Sequence, residues 1–121
     1  MLELNYIMIG SEQPKVLAEF YRKVLGKPAD WEEDGWYGWQ AGNTYLAIGA
    51  HSEVKGKAKE PQRVILDFTT KEVKKEFERI KKLGAKVIKE PYEMDVAWIA
   101  TLADPDGNYF QLMSPWEPEA K

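Results

Sequence analysis

The chain lacks several components of ordinary active-site chemistry. It has no cysteine, which excludes disulfides, thiolate nucleophiles and zinc sites with Cys ligands. It has a single histidine, His51, so Ser-His-Asp machinery could form only around that residue, and no metal site with two His ligands fits within one chain. Basic residues are not in excess. The 17 Lys and Arg against 20 Asp and Glu leave a net charge of -3 and a pI near 5.3. That balance argues against nucleic acid or an anionic membrane as the partner. No segment approaches the ~20 consecutive apolar residues that span a bilayer, and Met1-Leu2-Glu3-Leu4-Asn5 has no basic start of a signal peptide. A cytoplasmic location is the expectation.

What is present suits a packed domain with an aromatic interior. With 121 residues, 44% hydrophobic and 31% charged, the chain is one domain in length and can bury a sizeable core. Five Trp and six Tyr supply stacking and apolar enclosure far better than acid-base chemistry.

The order of elements repeats. A strand, a helix and three further strands occur twice, which predicts a single domain, 1–121, made of two repeats of about 1–58 and 61–121. In the first, a strand is expected over Leu4 to Ile9 and a helix from Pro14 to Gly26. Val16, Leu17, Phe20, Tyr21, Val24 and Leu25 recur at one-turn spacing as its buried stripe. Pro28 to Glu32 follows as a short strand. The turn signals Asp34-Gly35 and Gly42-Asn43 then delimit Gly35 to Ala41 and Thr44 to Ala50 as a hairpin.

The second repeat opens with Arg63 to Phe68 as a strand. The capping box Thr69-x-x-Glu72 introduces a helix with Val73, Phe77, Ile80 and Leu83 inward, stopping at Gly84. Its other face carries Lys and Glu at i,i+4, Lys74 with Glu78 and Glu78 with Lys82, and reads as solvated. Lys86 to Lys89, Val96 to Leu102 and Asn108 to Met113 complete the set. Between the last two, Asp104-Pro105-Asp106-Gly107 forces a reversal. Pro105 presets φ, Asp104 bonds forward to the backbone, and Gly107 takes the conformation that a Cβ resists. In the strand that follows, alternation sends Phe110 and Leu112 to the core, with Tyr109, Gln111 and Met113 on the other face.

Three stretches carry a family resemblance: Phe20-Tyr21-Arg22-Lys23-Val24-Leu25-Gly26, Leu83-Gly84-Ala85-Lys86-Val87 and Asp104-Pro105-Asp106-Gly107-Asn108. In this order and spacing the chain resembles the vicinal oxygen chelate superfamily of glyoxalase I, extradiol dioxygenases and the fosfomycin and bleomycin resistance proteins. The resemblance implies an α+β fold in which two βαβββ modules form a cupped mixed sheet with helices outside, often shaped by dimerisation. Metal-dependent members hold a divalent ion with His or Glu from the first and last strands of each module. The matching positions here are Tyr6, Ala47 or Gly49, Arg63 and Gln111. Arg cannot coordinate, Ala and Gly offer no donor, and neutral Tyr and Gln replace imidazole and carboxylate poorly. No metal and no other cofactor is therefore expected. His51 shares the alternation of Tyr45, Ala47 and Gly49 but reads as a surface residue rather than a ligand.

The same alternation predicts the lining of the cup. Tyr6, Met8 and Tyr45 come from the first repeat; Arg63, Ile65, Asp67, Trp98, Tyr109 and Gln111 come from the second. The set is mostly apolar and aromatic with a few polar groups, as small-molecule sites are. Arg63 and Asp67, four apart on one strand, either pair with each other or contact a ligand. Trp31, Trp36 and Trp39 either stack on a flat ligand at a pocket rim or fill the core or a dimer interface, with packing favoured for most of the three, and Trp116 is expected to act as a lid or subunit contact.

Three functional readings follow. The first is a metal-free binding protein of the bleomycin resistance type, a homodimer taking an aromatic or mostly apolar small molecule in the cup. The second is a lyase or isomerase of the same superfamily with displaced metal ligands, or with Asp67 as catalytic base under a raised pKa. The third is a structural or regulatory dimer whose cup is filled by side chains.

Overall fold

The computed structural model describes residues 1–115; Trp116, the expected lid or subunit contact, lies outside them. The chain divides into two compact units, Met1–Lys57 and Ala58–Lys121. Each is a βαβββ module: an α-helix packed on a four-stranded mixed sheet.

In the first unit the order is β1 (Tyr6–Ser11), α1 (Pro14–Leu25), β2 (Trp31–Glu33), β3 (Trp36–Ala41) and β4 (Thr44–Ala50). The sheet runs β1-β4-β3-β2. β1 is parallel to β4, and the other pairings are antiparallel. Helix α1 starts and stops where its sequence punctuation directs. Pro14 occupies its first turn, and Gly26 adopts φ +76° while its N–H donates to the Arg22 carbonyl. The buried face is Leu17, Ala18, Phe20, Tyr21 and Val24. Val16, expected in the stripe, is 50% exposed. The stripe is centred between Leu17 and Val24, which leaves Val16 at its rim. β1 begins two residues later than expected, because pairing with β4 starts at Tyr6↔Tyr45. The core joins Leu17 and Tyr21 to Ile48 and Trp39, whose indole Nε1 donates to the Lys27 carbonyl at 3.0 Å.

In the second unit, β5 (Leu66–Thr69), α2 (Val73–Lys82), β6 (Lys86–Met94), β7 (Ala97–Ala103) and β8 (Tyr109–Met113) form the sheet β5-β8-β7-β6. This is the same order and the same parallel first-to-last pairing as in the first unit. Phe77, Ile80, Ile99, Leu102 and Phe110 are buried. The expected capping box does not form. Glu72 is the N-cap without a side-chain cap, and Thr70 Oγ1 accepts the Glu72 N–H. The ion pairs of α2 run at i,i+3, Glu72 with Lys75 and Glu76 with Arg79, rather than i,i+4. Leu83 ends the helix with 37% of its surface exposed, and Gly84 follows at φ +101°. β6 extends to Met94, well past the expected Lys89. It is an edge strand, where the missing N–H of Pro91 is tolerated.

The Asp104–Gly107 turn closes as expected. Asp104 is 5% exposed, and its Oδ1 accepts the N–H groups of Asp106 and Asn108, both at 2.9 Å. The Gly107 N–H donates to the Asp104 carbonyl, with Gly107 at φ +84°. Phe110 and Leu112 are buried behind it. Among the described residues no helix is long and apolar enough to cross a membrane.

Candidate functional site

In the first unit the two faces of the sheet differ. Ile7, Ile9, Leu46 and Ile48 share the face covered by α1, so their alternates, Tyr6, Met8, Tyr45 and Ala47, point the other way. On β3 the residues opposite Ala47 and Tyr45 are Gly38 and Gln40, which puts Trp36 on this face too. On β2, Trp31 opposes Gly38. Each of the four strands thus contributes one aromatic ring to the face turned from α1: Tyr6, Trp31, Trp36 and Tyr45. With Met8 and Ala47 these rings line a pocket of about 520 Å³.

Glycine makes that arrangement possible. At Gly49 the space of a Cβ is taken by the fused-ring carbons of Trp36. At Gly38 a Cβ would lie 2.6 Å from the Tyr45 ring and 3.3 Å from Trp31. The rings therefore settle onto the strands where side chains are missing. The Tyr6 and Tyr45 rings are 5.3 Å apart and tilted by 53°. His51 covers Gly10 beside them, is exposed, and uses its Nδ1 to accept the Glu53 N–H at 3.1 Å. It acts as a local turn cap.

The equivalent face of the second unit sets polar side chains among apolar ones, Ile99, Ala103 and Met113 sharing it with Asp67, Thr101 and Gln111. Asp67 pairs in register with Gln111, which pairs with Thr101, and Gln111 Nε2 donates to Thr101 Oγ1 at 3.2 Å. Asp67 is exposed overall, yet partial burial of its carboxyl raises its pKa above the ordinary 3.8. Among the described residues no hydrogen bond or cation offsets that effect. Tyr109 lies on the same face, beside Ala103.

Of the residues expected at the site, Tyr6, Met8 and Tyr45 come together in the first unit, and Asp67, Gln111 and Tyr109 share a face in the second. Three expectations are corrected. Arg63 is not in a strand: β5 begins at Leu66, and Arg63 sits in a turn, its N–H bonded to the Glu60 carbonyl and its guanidinium paired with Glu60 at 2.9 Å. It does not pair with Asp67. Ile65 also precedes the strand, so alternation assigns it no face. Trp98 is on the helix side of β7, in phase with Ala100 and Leu102, and Lys74 Nζ stands 3.9 Å from the centre of its ring. Lys74 stays exposed even so, as do Glu78 and Lys82, so the charged face of α2 is solvated as expected.

Packing was favoured for most of the three tryptophans, yet Trp31 and Trp36 take the rim alternative and line the pocket, and only Trp39 of the three is a core residue. The signal for them was Gly38 and Gly49, glycines inside strands, which mark close approach of another group.

The metal positions implied by the resemblance do not fit an ion. Tyr6, Ala47 and Gln111 stand on their strands without a charged donor, and Arg63 is tied to Glu60. Among the described residues no group of three or more His, Cys, Asp or Glu side chains could hold a metal.

Comparison with known proteins agrees with this architecture. The family model described as a glyoxalase-like domain matches residues 6–113. The crystal structure of a glyoxalase/bleomycin resistance protein/dioxygenase family enzyme from Burkholderia phytofirmans is 26% identical. Its TM-score is 0.76, with 93% of this chain and 98% of that one covered. A glyoxalase-related enzyme from Fulvimarina pelagi superposes with TM-score 0.80 at 17% identity, covering 99% and 94%. A glyoxalase/bleomycin resistance protein from Albidiferax ferrireducens does so with TM-score 0.75 at 20% identity, covering 93% and 98%. These last two speak to the fold alone. Among curated proteins none matches. With the family model spanning both modules, the chain belongs to the glyoxalase-like domain family, within the vicinal oxygen chelate superfamily.

Proposed function

We propose that this protein binds a small molecule in the manner of the glyoxalase and bleomycin resistance type, without a metal, and that the ligand is aromatic or mostly apolar. The pocket framed by Tyr6, Met8, Trp31, Trp36 and Tyr45 carries the reading. Its lining has rings to stack on a flat molecule and no Asp, Glu, His, Lys or Arg; its only ionisable groups are the phenols of Tyr6 and Tyr45. The donor set argues for working without a metal. The same reading has the protein act as a cytoplasmic homodimer with neither nucleic acid nor membrane as partner, in keeping with its net charge of -3.

The test is a titration with planar aromatic compounds, read by tryptophan fluorescence, before and after exhaustive chelation. Quenching that survives chelation and weakens at least tenfold in Trp31→Ala and Trp36→Ala is the expected result. Binding that vanishes with the metal, or that ignores both substitutions, excludes the reading.

One observation favours a catalytic alternative. The Asp67 carboxyl, raised by burial and in register with Gln111, has the character of a weak base. As a lyase or isomerase of this superfamily, the protein would use Asp67 to take a proton from the substrate. Asp67→Asn then abolishes turnover while leaving ligand affinity in place, and an unchanged rate removes the alternative.

A further inference from the structure

We infer that the pocket of the first unit selects a cation, specifically a quaternary ammonium or a flat heteroaromatic ring bearing positive charge. The inference rests on the binding reading above and narrows it to a ligand class.

Four aromatic rings, one from each strand, converge on the pocket together with the polarisable thioether of Met8. Trp36 has one face against Gly49, which turns the opposite face away from the sheet. The faces of such rings carry the negative end of the quadrupole, and several of them around one space attract a desolvated cation more than a neutral group of the same shape. No Lys, Arg or His lines the pocket, so nothing there would receive an anion or repel a cation. Glu33 is not one of the lining residues, but it stands next to them: it is two residues from Trp31 and in register with Trp36 on the same face of the sheet, carries a charge of the right sign, and has no ion pair among the described residues.

A matched pair of probes tests this: 4-(trimethylammonio)phenol and 4-tert-butylphenol, alike in shape and different only in charge. Their affinities for the intact protein would be measured by calorimetry or NMR at low salt. The expected result is about tenfold or greater preference for the ammonium. That preference should fall in Trp36→Leu and in Glu33→Gln, with Glu33→Gln leaving 4-tert-butylphenol binding unchanged. Equal or tighter binding of 4-tert-butylphenol overturns the inference and leaves the small-molecule reading standing. Binding of neither probe up to its solubility limit overturns both.

Discussion

The indole of Trp36 occupies the space that a side chain at Gly49 would fill. The two residues are on neighbouring strands of one sheet, and the ring holds its place only because its neighbour has no Cβ. Gly49→Ala must therefore displace Trp36. The expected consequences are a loss of about 1–3 kcal/mol from overpacking, a red-shifted tryptophan emission, and ligand affinity reduced at least tenfold. Emission and affinity that match the parent protein would show that the ring does not depend on the glycine.

Trp39 makes the contrasting case of a tryptophan whose role is structural. It is 1% exposed and donates to the Lys27 carbonyl. Trp39→Phe keeps most of the ring but leaves that carbonyl without its partner, at an expected cost of about 1–3 kcal/mol in urea unfolding. Trp39→Ala, which also opens a cavity, should cost about 3–5 kcal/mol. If the Phe variant unfolded at the parental midpoint, the hydrogen bond would have no net value.

The turn before β8 depends on one carboxylate. Asp104 Oδ1 accepts two backbone N–H groups and is met by the Asn108 amide as well. Asp104→Ala leaves those buried donors unsatisfied and should destabilise by about 1–3 kcal/mol or more. Asp104→Asn retains an acceptor at the same place and should lose clearly less. Equal losses in a denaturation experiment would assign the effect to charge rather than to the backbone bonds.

Asp67 links stability to pH. Burial raises its folded pKa above the ordinary 3.8, so through that window the native state binds more protons than the unfolded chain. Stability contributed by this group is present in acid and is lost as pH rises through the folded value. Asp67→Asn removes the ionisation. It should raise Tm at neutral pH, and the gain should disappear once the pH is below 3.8. A gain of the same size at every pH would trace the effect to packing.

Much of the fold was legible in the chain, for local reasons. Helix α1 is bounded by Pro14 and Gly26, and β4 runs from Thr44 to Ala50 as its turn signals indicate. Both ends of α1 and the start of β4, after Gly42, are set by residues with unusual backbone preferences. The errors arose where the deciding contact is distant. Arg63 and Val64 alternate as strand residues do, but the ladder with β8 begins only at Leu66↔Phe110, and a turn to Glu60 claims the residues before it. Trp98 was assigned the wrong face because β7 is apolar along nearly its whole length, so alternation carries no sign there. The face of Tyr6, Met8 and Tyr45 was legible because they alternate with aliphatic neighbours that must face the helix. Trp31 and Trp36 were underrated because their partners are glycines, which contribute no hydrophobic signal of their own.

Because the rings rest where Cβ atoms are missing, the pocket is vulnerable at positions outside its own lining. A glycine codon becomes an alanine codon by one base change, so a single mutation at Gly49 or Gly38 would displace a ring of the pocket while leaving every aromatic residue in the sequence. Sequence surveys that score only the tryptophans and tyrosines would count such a chain as a competent binder. The glycines are the more informative positions for telling a member of this fold that keeps the ring-lined pocket from one that has lost it.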